Sequence, residues 1–347
     1  MPRTRRFVSQ CGVGTILAED VKTYQGITLV AKDSVLNRYI LDRLTNIGVI
    51  YIWTYTSDGS NISEHNLNQE RVESSYREAI LAVKQVLREI SSGEKLNYHK
   101  ITQLSELVYG NINDSINVVK YLNNIRTKDE YTYTHCVNVA IYAMLIAKWL
   151  TLPKEDIEEV IQAGLLHDIG KVLIPDEILN KREKLLESEW DIMKRHSLIG
   201  YFCIKHIPEI SQPIKEAVLS HHERMDGSGY PYGLKGDEID LFARIIAIAD
   251  VYDAMTQDRV YKKGVNPFLA FEMFQTLGLG IFDIHILNVF LKNIAVNFTG
   301  LNVIWENGEC GEIVYVPPYE ITKPVILKGS SFIDLSHTQR RVITVGS

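Results

Sequence analysis

The chain has 347 residues, enough for two domains, and its 46% hydrophobic and 23% charged residues are ordinary for a globular protein. Its net charge of −6 gives no electrostatic support to general nucleic-acid binding, although a small basic pocket for an anionic ligand is compatible with it. The apolar stretch 137–150 is too short to span a bilayer and contains Lys148, so we expect no membrane span.

The first residues of the chain are basic but lack the apolar segment of a signal peptide. The four cysteines are scattered, and without a Cys-x-x-Cys pair they are typical of reduced thiols. Both features predict a cytoplasmic protein.

Residues 1–70 predict a small mixed α/β module without a catalytic constellation. Short apolar runs bounded by turn residues indicate strands at 13–21, 27–30 and 49–55, with a helix at 36–44 between them. We expect this module to have a regulatory or packing role.

Residues 71–126 predict two connecting amphipathic helices. Ile80, Val83, Leu87 and Ile90 recur at helical spacing over 73–90, and a second apolar stripe begins near residue 100. Three interpretations stay open: the helices transmit a signal between domains, form the seam of a homodimer, or pack on the neighbouring domain.

Residues 127–297 predict helices almost throughout, and residues 298–347 predict a short β-rich appendage with strands at 302–305, 311–316 and 324–327. The expected fold is therefore mainly α: an all-helical central domain with a small α+β N-terminal module and a β C-terminal appendage. The expected central helices span 135–150, 156–166, 187–206, 212–220, 241–256, 267–276 and 284–294.

The central region contains an ordered set of metal-capable side chains, each at a predicted helix end or on an apolar face. A buried carboxylate such as Asp250 is costly inside an apolar helix unless it is paired or bound to a cation. A single histidine here would be an ordinary core residue, but the whole ordered set is much less expected by chance. Nitrogen and carboxylate ligands without thiolate suit Fe, Mn, Zn, Co or Ni. The set comprises His135, His167, Asp168, His196, His221, His222 and Asp250.

With these residues the segment 127–297 resembles the HD-GYP family, a branch of the HD-domain metal phosphohydrolases that degrades the bacterial second messenger cyclic di-GMP. The resemblance rests on residue type and order and covers about half of the chain. It is carried by 129–135, 165–171, His196 with Gly200, 221–231, 233–236 and 249–262.

The resemblance implies two divalent ions, Fe or Mn, bridged by Asp168. One ion would be held by the side chains of His135, His167 and Asp250, and the other by those of His196, His221 and His222. Some members bind a third ion through a glutamate four residues before the first histidine. Tyr131 stands at that position here, with Glu130 beside it, so we expect two ions.

The resemblance also implies roles around the ions. Asp168 and Lys171 would be catalytic, with Lys171 beside the scissile phosphate. The substrate-binding positions would be Arg259, Lys262, Asp253, Gly229, Tyr230 and Pro231. The Gly-Tyr-Pro turn would support the site and contact GGDEF-type signalling partners.

The expected function is hydrolysis of cyclic di-GMP to pGpG, with GMP as a further product. One alternative is a hydrolase of another cyclic dinucleotide, cyclic GMP-AMP, because no base-reading residue lies in the motifs. The other is a non-catalytic receptor that binds the nucleotide or senses oxygen at a di-iron centre. The complete set of ligands favours the enzyme.

Overall fold

The computed structural model describes residues 3–346, apart from 23–25, 48, 56–60, 113–117, 120, 123–130, 259–262, 306–307 and 339–341. Helices fill the middle of the chain and strands lie near both ends, which confirms the mainly α class. No helix in these ranges is long and apolar enough to cross a membrane.

The N-terminal module consists of two small antiparallel sheets and one helix. The first strand pairs with the fourth in register from Arg3 opposite Tyr55 to Phe7 opposite Tyr51. This strand was not predicted, because its basic residues give no apolar alternation. The predicted strand 13–21 is wrong, since residues 13–20 form only isolated bridges, at Ile16 and Leu17, and a strand begins only at Val21. The elements are β1 (Arg3–Phe7), β2 (Val21–Lys22), β3 (Thr28–Val30), α1 (Arg38–Asn46) and β4 (Tyr51–Tyr55).

Two long helices follow, α2 (Asn61–Ser91) and α3 (Tyr98–Asn111). Helix α2 begins before residue 70 and therefore crosses the expected boundary of the N-terminal module. The apolar stripes of both helices, including Val83 and Leu104, are buried in the same cluster as the central helices. Of the three interpretations of residues 71–126, the structure therefore supports the third, in which the helices pack on the neighbouring domain.

The central helices agree with the prediction to within a few residues, with one exception. The expected helix 187–206 is two helices separated at Arg195, whose N–H bonds to the Ile192 carbonyl three residues back. The Met193 carbonyl at this break accepts instead from Nδ1 of His196. The central helices are α4 (Tyr131–Trp149), α5 (Lys154–Leu166), α6 (Asp176–Leu179), α7 (Glu187–Lys194), α8 (His196–Ile204), α9 (Gln212–Ser220), α10 (Leu241–Thr256), α11 (Pro267–Thr276) and α12 (Ile284–Val296).

Helix α4 lies at the centre of this bundle. Each of its residues from 136 to 147 is at most 2% exposed, as expected of a helix that is apolar all round. Helices α5 and α10 pack closely against it. The side chains that α4 presents to these two helices therefore face the interior of the molecule.

The C-terminal appendage contains strands β5 (Asn302–Trp305), β6 (Cys310–Tyr315), β7 (Val325–Lys328), β8 (Ser331–Asp334) and β9 (Val342–Gly346). They form an antiparallel sheet in the order β8-β7-β6-β5-β9. Successive residues of a strand point to opposite faces. Ile313 and Ile326 accordingly pack in the helical core, whereas Val314 and Val325 pack with the N-terminal module. The sheet thus lies between the two cores, which the sequence did not indicate.

Candidate metal centre

The fold brings all seven expected ligand side chains together, from three helices and from the turns that follow two others. They form two groups, in each of which the possible ligand atoms lie within 4.8 Å of one another. All are buried except the partly buried His222. One group is His135, His167 and Asp250, and the other is Asp168, His196, His221 and His222.

Two glycines allow the backbones to approach closely enough for this assembly. A Cβ on Gly164 would lie 2.6 Å from the Ala140 Cα, so the glycine permits α5 to pack tightly on α4. A Cβ on Gly170 would lie 1.9 Å from the His196 carbonyl oxygen. The turn after Asp168 therefore lies directly against the start of α8, which places the carboxylate between the two histidine groups.

The two carboxylate oxygens of Asp168 face different groups. Oδ2 lies 3.3 Å from Nε2 of His167 and 3.6 Å from Nε2 of His135. Oδ1 lies 3.4 Å from Nε2 of His196. A carboxylate in this position could coordinate one cation through each of its oxygens.

Four of the imidazoles are oriented by a hydrogen bond at Nδ1. His167 donates to the Gly164 carbonyl at 2.7 Å, and His221 donates to the Val218 carbonyl at 3.0 Å. His196 donates to the Met193 carbonyl, and His135 donates to the Asp253 carboxylate on α10. A proton fixed on Nδ1 leaves Nε2 as the lone pair directed into the centre, as a metal ligand requires.

The electrostatics favour ionised carboxylates and neutral imidazoles. Burial opposes ionisation of Asp168, but the Lys171 ammonium and the neighbouring His167 ring outweigh it and hold the pKa of Asp168 well below its usual range. The Lys171 ammonium lies 2.5 Å from Asp168 Oδ2. Burial lowers the pKa of His196 to about 4 against the attraction of Asp168. The exception is His135, where Asp250 and Asp253 outweigh burial and raise the pKa to about 9.

The residues fit divalent cations. Nε2 of His167 and Oδ1 of Asp168 are buried and have no hydrogen-bond partner among the described residues. Such atoms are rare in folded proteins because leaving them unsatisfied is costly. Each of these two atoms offers a lone pair that a metal ion could accept, one in each ligand group.

Comparison with known proteins supports the same family. A family model described as HD domain matches residues 118–285. A cyclic di-GMP phosphodiesterase of Pseudomonas aeruginosa is 36% identical over 233 residues, which are 67% of this chain and 56% of that protein. A 3'3'-cGAMP-specific phosphodiesterase of Vibrio cholerae is 43% identical over 144 residues, 42% of this chain and 33% of that protein.

A solved structure shares the fold. It is an HDG"Y"P protein from Bdellovibrio bacteriovorus, with a TM-score of 0.53 at 17% identity, covering 83% of this chain and 98% of the other. This chain contains an HD domain, and its sequence motifs resemble those of the HD-GYP branch. It spans less than two thirds of the length of the two phosphodiesterases named above.

The Gly-Tyr-Pro turn lies against the centre. The Tyr230 ring stacks on His222, and a cis peptide bond joins Tyr230 to Pro231. A Cβ on Gly229 would lie 2.4 Å from the Cα of Glu223, so glycine permits this close approach. These contacts place the turn as a wall of the site, and its expected contact with substrate stays a prediction.

Glu223 holds this turn in place, although the sequence analysis did not single it out. Its carboxylate is 2% exposed and accepts from the backbone N–H groups of Tyr232, Gly233 and Leu234 at 2.7, 3.2 and 3.0 Å. The sequence did indicate such a role, because Glu223 directly follows two histidines and precedes a glycine-rich turn. Residues 229–234 are called the GYP loop below.

Asp253, expected to bind substrate, has a different position. The side chain is fully buried and accepts from His135 Nδ1 at 2.7 Å and from Asn138 Nδ2 at 2.8 Å. Both carboxylate oxygens thus accept hydrogen bonds from protein groups. They lie on the far side of the His135 ring from the space that the ligands surround. The structure corrects this expectation: Asp253 orients His135. Arg259, Lys262 and Glu130 lie outside the described residues.

Proposed function

We propose that this HD-domain protein is a metal-dependent phosphodiesterase that opens cyclic di-GMP to linear pGpG. The observation that carries the proposal is the pair of ligand groups on either side of Asp168, with the Lys171 ammonium beside it. Relatives named as cyclic di-GMP phosphodiesterases, in Pseudomonas aeruginosa and Thermotoga maritima, support the choice of substrate.

The proposed centre holds two divalent ions, Fe or Mn. His135, His167 and Asp250 would hold one ion, the second group of histidines would hold the other, and Asp168 would contact both. When bound, two such ions neutralise the charge of a phosphate and lower the pKa of water into the neutral range. The ionised carboxylates and the imidazoles of His196, His221 and His222, whose pKa values burial lowers, are donors of the kind that such ions require.

The protein groups contribute orientation and charge. Oδ1 of Asp168, which has no hydrogen-bond partner among the described residues, would accept a hydrogen bond from the attacking water. The Lys171 ammonium is placed to offset the negative charge that develops on the non-bridging phosphate oxygens. The sequence adds Arg259 and Lys262 as further phosphate contacts. Buried ligands and a stacked GYP loop restrict bulk water, which strengthens these interactions.

Cyclic GMP-AMP is the second candidate substrate, because the relative from Vibrio cholerae at 43% identity is named for it. Both substrates present the same phosphodiester to the metal centre. They differ in one base, and the ligand set makes no contact that distinguishes bases. The non-catalytic receptor is less well supported, because no expected ligand is replaced.

The GYP loop also offers a surface for a partner. Tyr232 is 61% exposed beside the stacked Tyr230, which supports contact with a GGDEF-type protein at this loop. The apolar stripes of α2 and α3 are buried within the chain, so they do not support the expected dimer seam. A homodimer and a cytoplasmic location stay predictions from the sequence.

The deciding experiment is anaerobic purification with metal analysis, followed by incubation with cyclic di-GMP or 3'3'-cGAMP, with and without Mn²⁺ or Fe²⁺. Metal-dependent formation of pGpG or GMP, measured by chromatography, supports the proposal. Faster turnover of cyclic GMP-AMP would transfer the assignment to that substrate. Bound metal without turnover of either dinucleotide would favour the receptor, and the absence of metal binding would overturn the metal centre itself.

A further inference from the structure

A chain of hydrogen bonds connects helix α2 to His135. The Tyr76 hydroxyl donates to Oδ1 of Asn138 at 2.7 Å, and Nδ2 of Asn138 donates to Oδ1 of Asp253 at 2.8 Å. The other oxygen of Asp253 accepts from Nδ1 of His135 at 2.7 Å. The chain joins α2, α4 and α10, and none of its four side chains is more than 3% exposed.

The chemistry of the groups sets the direction of these bonds. A carboxylate only accepts, so the Asn138 amide turns its NH₂ group toward Asp253 and its oxygen toward α2. The amide oxygen then needs a donor, and the Tyr76 hydroxyl supplies one. Tyr76 thereby holds the amide in the orientation that supports Asp253.

We propose that Tyr76 is a positioning residue of the metal centre, acting on His135 through Asn138 and Asp253. This inference rests on the metal centre proposed above, because it concerns one ligand of that centre. Groups that hydrogen-bond the far nitrogen of a metal-bound imidazole fix the ring and raise its basicity. Their loss typically costs about 10–100-fold in metal affinity or activity. The position of α2 therefore bears directly on the centre.

The test uses Tyr76→Phe, which removes the hydroxyl and keeps the ring. Tyr142→Phe is the matched control, because Tyr142 is also buried and its hydroxyl has no hydrogen-bond partner among the described residues. Wild type and both variants are stripped with chelator and titrated with Mn²⁺ by calorimetry. We expect Tyr76→Phe to lose about tenfold in affinity at one site only, and Tyr142→Phe to bind like wild type.

The difference between the two sites is the decisive readout. A general loosening of the core would weaken both sites, whereas loss of this chain weakens the site that contains His135. Equal affinities for Tyr76→Phe and wild type would overturn the inference while leaving the metal centre intact. A wild-type protein that binds no Mn²⁺ or Fe²⁺ would instead overturn the proposed function.

A second comparison tests whether Tyr76 acts through Asn138. Asn138→Leu keeps a similar volume and removes both of its hydrogen bonds, so it should weaken Mn²⁺ binding at least as much as Tyr76→Phe. Adding Tyr76→Phe to that variant should change the affinity no further, because the path is already broken. A fully additive loss would overturn the proposed path. If Asn138→Leu does not fold, the comparison of Tyr76→Phe with Tyr142→Phe decides alone.

Discussion

The ring of Tyr230 stacks on the imidazole of His222, with centroids 4.6 Å apart and planes inclined at 29°. Two residues later, Tyr232 is 61% exposed. Two tyrosines of the GYP loop thus differ in role: one supports a ligand of the candidate metal centre, and the other faces solvent. This difference supplies a matched pair of variants.

Tyr230→Ala should lower turnover of cyclic di-GMP about tenfold and reduce the bound metal, because His222 loses the ring that restrains it. Tyr232→Ala should retain wild-type turnover, since its side chain contributes little buried area. Initial rates at saturating substrate and metal analysis of both proteins test this. Equal losses in the two variants would show that the stack is not what supports the site.

Glu223→Gln should lower the free energy of unfolding by about 1–3 kcal/mol. The carboxylate accepts three backbone N–H groups of the GYP loop, whereas an amide offers one oxygen and turns an NH₂ group toward another donor. Glu238→Gln is the control, because Glu238 is exposed and accepts a single backbone N–H. Denaturant unfolding of both variants measures the difference. Equal midpoints would contradict the role of Glu223.

Asp168→Ala should abolish hydrolysis and metal retention while helical content stays nearly intact. The substitution removes the carboxylate that lies between both ligand groups and leaves Lys171 without its partner at 2.5 Å. Asp237→Ala is the control, because the Asp237 side chain is fully exposed. Circular dichroism, metal analysis and turnover are measured on the same preparations. Wild-type turnover in Asp168→Ala would exclude the two-ion mechanism.

Lys148→Met should change how stability depends on pH. Burial lowers the pKa of Lys148 from 10.5 to about 8 in the folded chain. Between these values the unfolded chain binds more protons than the folded chain, so the free energy of unfolding of wild type rises with pH. Relative to Lys148→Met, wild type should gain about 1–2 kcal/mol between pH 7.5 and 10.5, after allowance for the partial exposure of the lysine. Parallel pH profiles of the two proteins would contradict the shift.

The candidate ligands were accessible from the sequence because their residue types and helical context carry the information. Asp250 lies in an apolar helix, and His221 and His222 end another before a glycine-rich turn. Apolar spacing also predicted most central helices within a few residues, since burial of one face imposes the helical period on the sequence. These are local properties, and a single chain displays them directly.

The role of Asp253 was not accessible in this way. It lies three residues after Asp250 on the same helix, and the family resemblance implied that it binds substrate. Only the packing of α10 against α4 shows that its carboxylate reaches Nδ1 of His135 from behind. Tyr76 is 62 residues from Asn138, and no local pattern indicates that they meet.

The same distinction applies to the ends of the chain. The sequence predicted a β appendage from its short apolar runs, but strand pairing and the second face of the sheet depend on partners far along the chain. Val314 belongs to the same buried cluster as Leu17 of the N-terminal module, although the two residues lie far apart in the sequence. The sequence alone therefore determined the helices and the identity of the candidate ligands, because spacing and residue type are local. The tertiary structure decided which groups orient those ligands, because hydrogen bonds between distant residues leave no periodic trace in the sequence.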